Sequence, residues 1–275
     1  MGIQYTTQKI LTLTMQELLN DFAPITLDEM SGIRLMNRTD TKFVTTINRL
    51  CDLLALAQQE YRIQEVKGVR NIPYYTLYFD TESFDMYQEH SHGHTGRQKV
   101  RIRSYVNSNL NFLEVKTKDN HGRTKKKRIA MQHFDPTGPY RSGFCRKDDE
   151  EEAYFDFLAQ QLKYEPERLM PAIENDFRRI TLVNKAKTER LTIDTMLKFR
   201  NVSTQHECNL NNIAIIELKR DGLEPSPITA LLNQLRIKPN GFSKYCIGSA
   251  MTNSELPLHK FKVRLRTINK IIERS

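Results

Sequence analysis

Charged residues recur at every second position inside segments that otherwise read as buried strands. Lys99, Arg101 and Arg103 alternate with Val100, Ile102 and Ser104, and Glu114, Lys116 and Lys118 with Leu113, Val115 and Thr117. Arg190, Thr192 and Asp194 alternate with Leu191 and Ile193, and Glu217 and Lys219 with Ile216 and Leu218. Side chains of a strand point alternately to opposite faces, so each segment has one apolar and one charged face. Long cationic groups on one face of several strands predict a sheet curled around a charged interior that holds a polyanion.

The remaining pattern supplies the other elements. Thr14 and Glu17 ahead of Leu18 and Leu19 predict a capped helix over 14–22. A strand is expected over 38–46, and Leu50, Leu53, Leu54 and Ala57 fall at helical spacing within 48–59. Tyr61–Gln64 and Tyr74–Phe79 read as strands, 82–90 as a short helix, and 97–106, 110–118 and 124–131 as a meander. The acidic run from Asp148 to Glu152 opens a helix, where negative charge suits the N-terminal end of the dipole. Further strands are expected over 169–182, 187–195 and 212–219, and helices over 228–235 and, capped by Ser243, 244–252. The tail, 257–273, is a basic amphipathic helix with Phe261, Leu265, Ile268 and Ile272 on one side. There is no internal repeat, low-complexity block or flexible linker. The expectation is one α+β domain over residues 1–275, with a core of about 38–252 followed by the basic helix. Many antiparallel strands with long polar residues on one face fit a closed barrel better than a sandwich.

Composition narrows the partner. The 42 lysines and arginines against 33 acidic residues leave a formal charge of +9, which favours an anionic ligand or surface. A mean hydropathy of −0.59 leans polar, and 39% hydrophobic residues still suffice for a sizeable core. No apolar run approaches the roughly 18 residues of a membrane helix, and the first residues lack a signal-peptide core. Met1-Gly2 with Thr6 fits a myristoylation pattern only loosely. Cys51, Cys145, Cys208 and Cys246 are far apart and form no CxxC pair, as expected of reduced thiols in a cytosolic protein. His90, His92 and His94 invite a zinc or nickel reading, but Ser91 and Gly93 break the run and a solvated loop is the expectation. The cations of the tail helix, Lys260, Lys262, Arg264, Arg266 and Lys270, are expected to form a solvated face, with an acidic lipid surface or a partner as the alternative.

One family carries these elements in the same order. The block Leu77-Tyr78-Phe79-Asp80-Thr81-Glu82 with Tyr87, the Arg101-x-Arg103 pair, Glu114-x-Lys116-Thr117, the basic strand Lys125 to Arg128, Arg190-Leu-Thr-Ile-Asp194, Ile216-Glu217-Leu218-Lys219 and Phe242-Ser243-Lys244-Tyr245 together resemble the vacuolar transporter chaperone (VTC) domain. This is the polyphosphate-polymerase branch of the triphosphate tunnel metalloenzymes, and the resemblance spans about Arg38 to Met251. It implies an antiparallel eight-stranded tunnel whose inner wall binds a triphosphate. It also implies transfer of the γ-phosphate of ATP onto a growing polyphosphate chain with Mn²⁺ or Mg²⁺. By position, Arg101, Arg103, Lys116 and Arg179 would surround the reacting phosphates. Lys42, Lys127, Arg190, Lys219 and Lys244 would hold the rest of the anion, and Glu217 the metal. The implied partners are ATP and polyphosphate, with a membrane protein as a partner for the product and no specific nucleic acid. The implied location is the cytoplasm, with peripheral attachment to a membrane as an extension.

Two departures from the family pattern bear on the reaction. Hydrolytic relatives begin with an E-x-E-x-K strand, whereas this chain reads Arg38-Thr39-Asp40-Thr41-Lys42. Loss of that acidic pair tilts the expectation from hydrolysis toward transfer. Gly241 stands where fungal relatives place a lysine, which removes one expected phosphate contact. A salt bridge to Lys219 competes with metal binding at Glu217, and Glu114 is at least as suited to ion pairing as to a metal. The alternatives are a tunnel-fold triphosphatase and a non-catalytic polyphosphate or inositol-phosphate sensor.

Overall fold

The computed structural model describes residues 15–31, 38–120, 123–132, 134–135, 143–144, 148–222 and 225–273. A helix whose described part is 15–20 (α1) leads to β1 (Ala23–Ile25) and α2 (Leu27–Ser31). Then come β2 (Arg38–Thr46), α3 (Ile47–Ala57), β3 (Tyr61–Gln64), β4 (Ile72–Asp80) and α4 (Asp85–His92). The meander is β5 (Gln98–Tyr105), β6 (Leu110–Lys118) and β7 (Thr124–Met131), followed by α5 (Asp149–Gln161). The second half holds β8 (Met170–Asn184), β9 (Glu189–Asn201), β10 (Glu207–Leu210), β11 (Ile213–Asp221), α6 (Pro227–Gln234), α7 (Lys244–Thr252) and α8 (Phe261–Ile272).

Eight strands form one antiparallel path in the order β2-β11-β9-β8-β4-β5-β6-β7. The α+β eight-stranded architecture is the one expected. Hydrogen bonding does not close it into a full ring: among the described residues β2 and β7 are its two ends and do not pair with each other. Chain from the second half covers the free edge of β2 instead, where Phe43 bridges Pro239 and the amide of Asn240 donates to the carbonyl of Lys42 at 2.8 Å.

Alternation sorts the core into layers. On one outer flank Phe43, Ile180, Leu191, Ile193, Ile216 and Leu218 pack under α1, α3 and α6. Leu50, Leu53, Leu54 and Ala57 of α3 are buried there as their spacing predicts, and Thr46 caps the helix by accepting from the amide of Arg49 at 3.3 Å. On the other flank Leu77, Val100, Ile102, Leu113 and Val115 pack under α5. Its first turn is acidic, and Asp148 caps it as expected. A third cluster lies on the concave side, where Val44, Ile215, Phe177, Leu197 and Phe199 meet α7 and α8.

Several boundaries differ from the pattern. The strands of the second half run on to Asn184 and Asn201. In β9 the alternation breaks because the ladder with β8 gains an extra residue between Thr195 and Lys198, where Met196 adopts φ 51°. After this bulge Leu197 and Phe199 take the inner face, and α7 seats Gly248 against Phe199 and Ile173. Strands β1 and β10, three and four residues long, lie outside the predicted set. The helix predicted over 82–90 spans 85–92, and the tail helix starts at Phe261. His90 and His92 therefore lie on α4, with His94 just beyond its Gly93 cap, and not in one loop. Cys51, Cys208 and Cys246 are free thiols, while Cys145 and Thr14 lie outside the described residues. Among the described residues no helix is long and apolar enough to cross a membrane.

Candidate functional site

The concave face encloses a cavity of about 1170 Å³ to which all eight strands of the path contribute side chains. Fourteen lysines and arginines line it against three carboxylates, Asp40, Asp194 and Glu217. So dense an excess of one sign in a partly desolvated space is unfavourable unless an anion occupies it.

The wall formed by β5 and β6 is built on a buried ion pair. Arg101, 7% exposed, donates from Nε and Nη2 to Oε2 of the fully buried Glu114 at 2.7 and 2.5 Å. Lys126 of β7 donates to the other oxygen at 3.0 Å. Burial pushes the Glu114 carboxyl up, but Arg101, Arg103 and Lys126 outweigh it and hold the group well below its usual range. Glu114 thus orients cations, the structural role weighed for it from sequence. Arg103 and Lys116 differ: among the described residues neither has a carboxylate partner, and Arg103 Nε is buried without a hydrogen bond. Arg101 and then burial drive Lys116 well below its ordinary value. Burial, with Arg101 and Arg179, lowers Arg103. Lys99 is likewise pulled down by burial, and its ammonium donates to the Ser243 hydroxyl at 2.8 Å.

The facing wall is organised around Asp194. Arg179 grips it with two parallel bonds, Nε to Oδ1 at 2.6 Å and Nη2 to Oδ2 at 2.8 Å. Lys244, from the first turn of α7, donates to the same carboxylate. Burial drags Lys244 down to about 7 despite the attraction of Asp194, whereas Arg179 is raised because Asp194 outweighs its own burial. Aromatic rings support both cations, with the Arg179 guanidinium 5.1 Å from the Tyr74 centroid and the Lys244 ammonium 4.2 Å from that of Phe177.

On β2 and β11 the register places Lys42 opposite Glu217 and Asp40 opposite Lys219. Glu217 pairs with Lys219 and lies 4.0 Å from the Lys42 ammonium. Burial raises the Glu217 carboxyl, but Lys42 and Lys219 overcome this and keep it well below the usual carboxylate range. Among the described residues no three His, Cys, Asp or Glu side chains converge as an all-protein metal cage. One ionised carboxylate facing this cavity does fit Mg²⁺ or Mn²⁺, which take most of their ligands from phosphate oxygens and water.

The cavity brings together Arg101, Arg103, Lys116, Arg179, Lys42, Arg190, Lys219, Lys244 and Glu217. Lys127 stands apart from them. The ladder pairs Lys116 with Lys126 and puts Lys127 opposite Val115, which belongs to the outer cluster. Three lysines in a row hide the parity of the strand, so the lumen cation of β7 is Lys126 and not Lys127. Sequence reasoning put Lys99 and Asp194 on the charged strand faces but gave neither them nor Asp40 a role in the site. Lys99 and Asp40 lie two residues from a chosen one on the same strand and Asp194 four from Arg190, and alternation alone identifies them.

The profile of the VTC domain matches residues 37–253. The chain belongs to the VTC domain family. A search of curated proteins finds no match. Among solved structures, a putative adenylyl cyclase from Hippeastrum, described as having a dominant triphosphatase activity, is similar at 17% identity. The match covers 81% of this chain and 99% of that one, with a TM-score of 0.44. A putative adenylate cyclase from Vibrio parahaemolyticus shares 10% identity over 78% of this chain and 99% of its own, also at TM-score 0.44. The PH1819 protein of Pyrococcus horikoshii is similar at 11% identity, covering 80% of this VTC domain chain and 99% of its own at TM-score 0.43. Asp80 and Tyr87, two of the VTC motif residues, serve the framework. Asp80 accepts from the amides of Thr81, Met86 and Tyr87 at 2.7, 2.9 and 2.9 Å and from the Tyr245 hydroxyl, tying β4 to α4 and α7.

Proposed function

We propose that this VTC domain is a polyphosphate polymerase that transfers the γ-phosphate of ATP onto the end of a linear polyphosphate chain. The observation that carries the reading is the one-sided charge of the lumen, in which, among the described residues, Arg103 and Lys116 lack carboxylate partners beside Arg101 and Arg179, which are held by theirs. Fixed cations position the triphosphate, and unneutralised ones meet the charge that spreads over the phosphoryl oxygens during transfer. A terminal chain oxygen forms the new bond to the γ-phosphorus, the bond to the β-phosphate oxygen breaks, and ADP leaves with the electron pair. Glu217 would hold a divalent ion, which would supply further charge neutralisation on the phosphates.

Transfer over hydrolysis is supported by the start of β2, Arg38-Thr39-Asp40-Thr41-Lys42, which offers one carboxylate where the hydrolytic pattern has two. Asp194 and Glu217 are both held well below their usual range by neighbouring cations after burial is overcome, so both are poor proton acceptors. Water needs a base to become a good nucleophile. A phosphate oxygen is already ionised and needs none. Incubation of the protein with ATP and Mn²⁺ or Mg²⁺, read for polymer and orthophosphate together, tests the reading. Acid-precipitable polyphosphate is expected. Orthophosphate alone would show a triphosphatase, and tight anion binding with no ATP consumption would show a sensor.

A further inference from the structure

The cation row of the lumen does not stop at the strands. On β5 the inward positions run Arg103, Arg101, Lys99, and continue to Arg97 just ahead of the strand. Arg97 donates to the carbonyls of Gly93 and His94 at 3.3 and 2.5 Å. On the other side of Gly93 lies Lys260, whose ammonium rests against that glycine and donates to the His92 carbonyl at 2.5 Å. Gly93 has φ 80°, and any side chain there would collide with the Lys260 ammonium. One turn along the same face of α8, Arg264 lies over Gly241, its Cζ and Nη2 each 3.4 Å from where a Cβ would stand. The space left by the absent side chain at 241 is therefore filled by a guanidinium from another element. Lys260 and Arg264 are exposed yet line the cavity, which places them at its rim. Among the described residues neither has a carboxylate partner.

We infer that Arg97, Lys260 and Arg264 form a second anion subsite at the rim, which holds the distal phosphates of a long polyphosphate chain while the strands hold the reacting end. The inference rests on the polyphosphate reading of the lumen and adds that α8 senses chain length. A triphosphate bound among Arg101, Arg103, Lys116 and Arg179 does not need the rim, whereas a long chain gains contacts from it. Each lost charge-assisted contact to phosphate is worth roughly tenfold in affinity.

The test compares tripolyphosphate with size-fractionated long-chain polyphosphate by titration calorimetry on the wild-type chain and on a Lys260→Ala/Arg264→Ala double variant. Tripolyphosphate affinity is expected to stay within about twofold, and long-chain affinity to fall at least tenfold with a shallower salt dependence. Arg264→Lys, which keeps the charge, should recover most of the loss, and unchanged ligand-free melting would show that α8 is still seated. Equal losses for both ligands would overturn the inference by assigning these residues to the inner site, and unchanged affinity for both would show that the rim holds no phosphate. A wild-type chain that binds tripolyphosphate and long chains equally well sinks the rim subsite alone. A wild-type chain that binds neither removes the polyphosphate reading itself.

Discussion

The two cationic walls of the lumen carry their charge in opposite ways. On β8 and β9, Arg179 and, from α7, Lys244 converge on Asp194, so each cation has an acid and the side chains are fixed before any ligand arrives. On β5 and β6, Arg101 is balanced by Glu114, but among the described residues Arg103, Lys116 and Lys99 face the same space without an acid paired to them. Under the proposed function the first wall would position the anion, and the second, with its like charges crowded together, would be relieved by it. Removing a cation should therefore have opposite consequences for stability on the two sides, although either removal harms phosphate handling.

The largest contrast is expected between Arg179→Ala and Arg103→Ala. Loss of Arg179 removes two charge-assisted bonds and leaves Asp194, 4% exposed, to Lys244 alone, and should lower unfolding free energy by about 1–3 kcal/mol in a urea titration. Loss of Arg103 strands no buried acid, so the midpoint should hold or rise while phosphoryl-transfer turnover falls ~10³-fold. Equal destabilisation of the two variants would break the division between the walls. Next in size is the ligand response: tripolyphosphate at 100 times its Kd should stabilise the wild-type chain by ~2.7 kcal/mol, and its Tm should climb with concentration at low salt. An unmoved Tm would mean that the lumen does not take up this anion.

Smaller is the gain expected from Lys116→Met without ligand, about 1 kcal/mol from relief of like-charge repulsion with Arg101 and Arg103. The subtlest sign is in pH. Lys99, Lys116 and Lys244 have folded pKa values below that of an unfolded lysine, with Lys244 down to about 7. Between that value and about 10.4 the unfolded chain binds more protons than the folded one, so ligand-free stability should rise with pH across this window and be lower beneath it. Bound polyphosphate favours the charged lysines and should flatten the rise, and a slope unaffected by ligand would place these lysines away from the anion.

Much of this contrast was legible in the alternation of residues. Arg101, Arg103, Lys116, Arg190, Lys219 and Glu217 face the lumen because their strand neighbours Ile102, Leu191, Ile216 and Leu218 need the core. The eight-stranded frame follows from the same period. Period alone could not resolve Lys125-Lys126-Lys127, where every position is charged and only the partner strand fixes which one turns inward. Nor could it show that Asp194 binds Arg179 and Lys244, since those residues come from separate elements. Arg264 over Gly241 was hidden for the same reason, because a missing side chain says nothing of what fills its place. The histidine run, expected as a solvated loop, begins on α4, and the rings of His92 and His94 stack 5.5 Å apart.

The predicted end of β9 at 195 was itself informative, since the period fails where Met196 enters as an extra residue. If the unchanged sequence ran on in regular alternation without the bulge, Met196, Lys198 and Arg200 would turn inward in place of Leu197 and Phe199, and the hydrophobic seat under Gly248 would vanish. One left-handed residue thus acts as a length gauge, ending the charged run of β9 at Asp194 and beginning the greasy collar that fixes α7. Deleting Met196, the inserted residue, would leave Leu197 and Phe199 facing inward; one further residue inserted after it would turn Lys198 and Arg200 inward instead and unseat the helix that brings Lys244 to the cavity, so the end of the charged run and the delivery of one of its cations are set at the same point.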